Sequence, residues 1–201
     1  MLVQLVDSHS MSVMASELEE IKRNTEREFC LLACEVDDWN RDLSPREAPA
    51  VFGDTPFGGE ANRTLEGLRE ELETKYKDKN LIIGGYSLAG LFALWAAYRT
   101  DAFCGVAAAS PSVWFPGFLK QAEENRVLTD IVYLSLGDKE EKTRNPVMAT
   151  VGDSIKTLNQ LYQKQPGMKT VLEWNPGNHF KEPDIRMAKA FAWVMNELER
   201  Q

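Results

Sequence analysis

The chain has 201 residues and is poor in the residues that staple or metallate small proteins, with 3 cysteines and 2 histidines. Cys30, Cys34 and Cys104 form no CxxC pair. Cys30 and Cys34 are expected on one face of a strand, too far apart to bridge to each other. The odd count predicts reduced, buried thiols and a cytoplasmic location. With only His9 and His179, no histidine-built metal cluster is expected, and no cofactor is called for. Long hydrophobic runs are missing too: none reaches the roughly 18 residues needed to cross a bilayer. MLVQLVDSHSMSV has no basic start and carries Asp7 early, so no secretory signal is expected. Basic charge is outnumbered, 23 Lys and Arg against 31 Asp and Glu, for a net charge of -8. That argues against nucleic acid and anionic membranes as partners, since both need a basic face. The acidic excess is spread along the chain and reads as a solvated surface. No repeat or low-complexity linker divides the sequence, and nothing in it specifies an oligomeric state.

What is present is an alternation of apolar and amphipathic runs. The hydrophobic fraction of 43% supports a sizeable core, and one domain over residues 1–201 is expected. LVQLV (2–6) reads as a strand and residues 11–23 as a helix. FCLLACEV (29–36) is a continuous apolar run, as expected of a strand buried on both faces. A long Pro-, Gly- and Asp-rich stretch follows, whose aromatics argue for order and function. Residues 60–76 form a helix, LIIGGY a strand, and residues 88–99 a helix. FCGVAAAS (103–110), IVYLSLG (131–137) and TVLEW (170–174) are further strands. Residues 119–124, 147–164 and 183–199 are further helices. This order predicts an α/β fold, a mostly parallel sheet with helices on both faces.

In such sheets ligands bind beyond the carboxyl ends of the strands. The polar clusters fall there: Asp7-Ser8-His9, Asp37-Asp38-Trp39, Ser87, Ser110, residues 138–141 and Asn178-His179. In LIIGGYSLAGLFALW (81–95), Ser87 stands where a strand turns into a helix. A tight turn of this kind exposes the hydroxyl, and its neighbours must be small. Gly85, Ala89 and Gly90 meet that need. The helix begins at Leu88, whose N–H and positive dipole end face a developing oxyanion. A second donor is expected from the loop after the first strand, near Ser8.

A serine nucleophile needs a base. His179, in WNPGNHF after the last strand, is the candidate. A histidine in that role needs a carboxylate to fix its tautomer. The loop after IVYLSLG offers Asp138, Glu140 and Glu141. Glu140 is favoured because a side chain a few residues past Gly137 reaches the histidine most naturally. Asp138 and Glu141 stay open.

GGYSLAGLFALWAAYRTDAFCGVAAASPSVWF resembles the nucleophile region of α/β-hydrolase esterases, a group that includes enterochelin (siderophore) esterases, feruloyl esterases and S-formylglutathione hydrolase. The matching features are the small-residue serine turn, the LFAL that follows, Ser110-Pro111-Ser112 and Trp114. The resemblance runs from about residue 81 to the C-terminus. It implies a trimmed α/β-hydrolase fold and hydrolysis of a small-molecule carboxylic ester through an acyl-serine. Ser87 would be the nucleophile, His179 the base and Glu140 the acid. The chain departs from the pattern at Tyr86, before the serine, and at Ala89, where glycine is common.

Trp39, Phe52, Phe57, Trp114 and Phe115 are candidates to line a substrate pocket, with Trp39 and Trp114 foremost. Lys142 and Arg144 could meet a charged substrate. The competing reading is a catalytically weak or inactive hydrolase-fold protein that binds a small molecule.

Overall fold

The computed structural model describes residues 1–198. In chain order the elements begin with β1 (Leu2–Val6), a turn of helix α1 (Ser8–Met11), α2 (Met14–Asn24), β2 (Leu31–Glu35) and α3 (Trp39–Asp42). A two-residue pair follows, β3 (Glu47–Ala48) with β4 (Phe57–Gly58), then α4 (Ala61–Tyr76), β5 (Ile82–Tyr86) and α5 (Leu88–Ala96). The second half runs β6 (Gly105–Ala109), α6 (Phe118–Glu124), β7 (Ile131–Gly137), α7 (Val151–Gln163), β8 (Lys169–Asn175) and α8 (Pro183–Leu198). The last helix was expected to extend to Glu199, which lies outside the described residues.

Six strands form one parallel sheet in the order β2-β1-β5-β6-β7-β8. Side chains alternate between its faces. Val3, Leu5, Ile83, Val106, Ala108, Val132 and Leu134 share a core with α4, α5, α6 and α7. Leu2, Ile82, Ala107, Ala109, Ile131 and Tyr133 pack with Ile21 of α2 and with α8. Period-two alternation with apolar residues on both sides is what a helix-covered parallel sheet requires. The fold is an α/β one, a parallel sheet with helices on both faces, as the sequence predicted.

The glycine pair of β5 has two distinct uses. A Cβ at Gly84 would sit 2.5 Å from the Phe191 ring of α8, and one at Gly85 would sit 2.5 Å from the Ala89 carbonyl carbon of α5. Gly84 therefore lets α8 close on the sheet, and Gly85 lets the first turn of α5 fold back beside its own strand.

Three expectations need correction. Residues 29–36 are not a strand buried on both faces: β2 is an edge strand, and its residues are half-buried or, at Glu35, exposed. Having a neighbour on one side only, it is not shielded as its apolar sequence suggested. Cys30 is exposed and precedes the strand, so Cys34 alone of the pair lies in it. The helix expected over 11–23 is also split, because the Asp7 carboxylate accepts from Ser10 N and caps a separate turn, α1, ahead of α2.

The stretch between β2 and α4 is ordered by local bonds. Ser44 Oγ donates to the Asn40 carbonyl at 2.7 Å and accepts from Gly59 N at 2.8 Å. Thr64 Oγ1 of α4 donates to the Asp42 carbonyl at 2.7 Å. The segment is thereby held over the carboxyl ends of the strands.

Candidate active site

Ser87 sits between β5 and α5 with φ 58 and ψ -120. Three non-glycine residues have positive φ among the described residues, Ser87, Ser110 and Glu182. Such backbone costs on the order of 1–3 kcal/mol and persists only where the surroundings hold it. Here Ser87 N donates to the Ala109 carbonyl at 3.2 Å, and Ser112 N donates to the Ser87 carbonyl at 3.0 Å. The turn is clamped from both sides by the neighbouring strand and its SPS loop.

His179 Nε2 lies 3.0 Å from Ser87 Oγ, and its Nδ1 lies 2.7 Å from Glu140 Oε2. Three residues far apart in sequence thus form one hydrogen-bonded chain. The other oxygen of Glu140 accepts from Ser110 Oγ at 2.7 Å, from Gly137 N at 2.7 Å and from Arg186 Nη1 at 2.8 Å. Burial alone pushes the Glu140 carboxyl pKa up. The bond from His179, its charge, and the bonds from Ser110 and Gly137 outweigh burial and hold the pKa below the usual value. Glu140 is therefore ionised at neutral pH.

Asp138 and Glu141, the two open alternatives, point elsewhere. Asp138 Oδ1 accepts from Gly177 N at 2.7 Å, which ties the β7 loop to the histidine loop. The Glu141 carboxylate packs against Gly152 in the first turn of α7.

Arg186 was not singled out in the sequence. It is 2% exposed and lies on α8. Beyond Glu140, its Nη1 donates to Ser110 Oγ at 3.0 Å and Tyr86 Oη at 3.1 Å, and its Nη2 to the Asn178 carbonyl at 3.0 Å. Tyr86 Oη in turn donates to the His179 carbonyl at 2.6 Å. Tyr86, just before Ser87 and a departure from the esterase pattern, therefore braces the histidine loop. One signal for Arg186 was available. Ala190 and Val194, four and eight residues on, belong to the buried side of α8, so an arginine in that row needs a buried anion.

A cleft of about 860 Å³ opens over Ser87. Trp39, Phe57 and Trp114 line it together with Leu88, His179 and Glu140. Phe52 and Phe180 stand at it 76% and 81% exposed. Phe115 does not line the cleft. It is buried beneath it and meets Phe57 edge-on at 5.1 Å. Leu88 opens α5, where the first N–H groups of a helix lack intrahelical acceptors. Ser8 opens α1, is exposed, and does not line the cleft, although β1 before it adjoins β5.

No protein-family model matches the chain, and no curated protein matches it. Solved structures do. The siderophore hydrolase EstA from Aspergillus nidulans aligns with TM-score 0.71 at 20% identity, over 98% of this chain and 82% of its own. An IroE-like serine hydrolase from Shewanella oneidensis aligns with TM-score 0.77 at 19% identity, over 98% and 70%. The F65L form of SOBER1 from Arabidopsis thaliana aligns with TM-score 0.58 at 13% identity, over 98% and 100%. At these identities the likeness establishes the fold.

Proposed function

We propose that this chain is a serine hydrolase that cleaves a small-molecule carboxylic ester through an acyl-serine intermediate. The observation that carries the reading is the hydrogen-bonded series Ser87, His179, Glu140, at 3.0 Å and 2.7 Å, beneath an open cleft. The fold it shares with two proteins described as siderophore or serine hydrolases supports the same reaction class.

Ser87 Oγ attacks the ester carbonyl carbon while His179 Nε2 takes its proton. Glu140 holds the Nδ1 proton and offsets the charge on the imidazolium. The carbonyl oxygen, now an oxyanion, is met by the N–H of Leu88 at the positive end of α5. A second N–H is expected from the segment after β1, near Ser8, which does not line the cleft. His179 then protonates the leaving alcohol and the carbonyl re-forms as the acyl-serine. Water repeats the sequence, releasing the acid and restoring Ser87. Each oxyanion donor is worth ~3 kcal/mol to the transition state. Trp39 and Trp114 form apolar walls for the ester, in keeping with clefts of this size.

Ser87→Ala, assayed on 4-nitrophenyl butyrate, should lower kcat by about 10⁶. Unchanged turnover would refute the reading. An inert natural protein whose Ser87 does not react with a fluorophosphonate would favour a binding role instead.

A further inference from the structure

The loop after β7, residues 138–145, turns its cations to the cleft. Of its three acids only Glu140 is buried, held by His179 and Arg186, while Asp138 and Glu141 are exposed but stay off the cleft, Asp138 accepting from Gly177 N and Glu141 lying beside Gly152 of α7. Its three cations, Lys139, Lys142 and Arg144, are exposed and line the cleft. None of the three makes an ion pair among the described residues. Among the described residues the one carboxylate lining the cleft is Glu140, already paired with Arg186. In a chain of net charge -8, the cleft is a local island of positive charge. Phe52 and Phe180 add exposed aromatic surface beside it.

From this we infer that the substrate is an anionic ester, with an apolar body and a carboxylate remote from the scissile bond. The carboxylate is received by Lys142 and Arg144, aided by Lys139, and the body lies on the aromatic walls. Exposed cations of this kind act mainly by gathering and orienting an anion, and a cleft focuses their field. The inference rests on the ester-hydrolase reading above and adds the polarity of its substrate.

The test compares mono-4-nitrophenyl suberate with its methyl ester, a neutral molecule of the same chain. At low salt the ratio of kcat/KM, acid over methyl ester, should be about tenfold or more. It should fall toward one at about 0.5 M salt, where the screening length drops to a few ångströms. In Lys142→Glu/Arg144→Glu the ratio should fall at least tenfold. Lys77→Glu, an equal charge change per site at the end of α4, should leave it unchanged. If the doubly reversed protein does not fold, Lys142→Gln/Arg144→Gln and the salt series on the natural protein carry the test. A ratio of one or less at low salt, or one untouched by the double variant, overturns this inference alone. Hydrolysis of neither ester overturns the ester reading and this inference with it.

Discussion

Two buried carboxylates, Glu140 and Glu17, sit in this molecule and meet opposite electrostatic fates. Glu140 accepts from an imidazole, a guanidinium, a hydroxyl and a backbone N–H, and its pKa is held below the usual range. Glu17 of α2 is 2% exposed and receives one bond, from Gln4 Nε2 of β1 at 3.2 Å. Its other oxygen and the Gln4 side-chain oxygen have no partner. Burial pushes the Glu17 carboxyl up to about 8, opposed by the Gln4 bond. Burial is common to both, so the donors decide. The fold supplies charged donors at Glu140, beside His179 and Ser87, and only a neutral amide at Glu17, where α2 packs on the sheet.

The largest break in this contrast comes from Glu140→Gln. It keeps the shape but loses the charge and the tautomer preference, and kcat on 4-nitrophenyl butyrate should drop by about 10⁴. Arg186→Met leaves the Glu140 charge buried with fewer partners and should cost about 3–5 kcal/mol of stability in urea unfolding. In the fraction that folds, the acid limb of the pH–rate profile should move to higher pH, because Glu140 becomes easier to protonate. Arg186→Lys should return the limb part of the way, which a purely structural role would not do. Ser110→Ala removes one donor to Glu140 and should cost about 1–3 kcal/mol, with a smaller shift of the same limb.

Glu17→Gln sharpens the contrast from the other side, with the smallest effect. The folded pKa of Glu17 is raised, so the unfolded chain ionises first, near about pH 4.3. Stability therefore falls as pH rises from there to about 8. The substitution should leave stability unchanged in acid and add about 1 kcal/mol or more near the top of that window. Glu140 has the reverse sign: its contribution is complete above the unfolded value and is lost as pH falls through the folded pKa. A melting series across pH on both variants checks both signs.

Much of this was legible in the sequence because it is local. The strand-to-helix turn at Ser87 follows from the spacing of Gly85, Ala89 and Gly90. The alternation of elements fixed the sheet, and chain order brought His179 and the acid loop to one rim. Reach favoured Glu140 but left Asp138 and Glu141 open, because only the folded chain shows which of the three meets His179. Arg186 was not read, because its partners Glu140, Ser110 and Tyr86 lie on three other segments and only the tertiary fold unites them. The exposure of β2 was also hidden: an apolar strand gives no sign of whether it is central or outermost. That Asp138 and Glu141 stay off the cleft depends on the bond to Gly177 and on the packing beside Gly152, which no spacing rule predicts.

The most direct measurement is mass-spectrometric mapping of a fluorophosphonate adduct, with its rate of formation followed in the natural protein and in His179→Ala. An activated nucleophile predicts a single adduct on Ser87, formed at least a hundredfold more slowly without the imidazole, on the order of the loss of a general base. An adduct elsewhere, or one formed at the same rate in both proteins, would contradict the account.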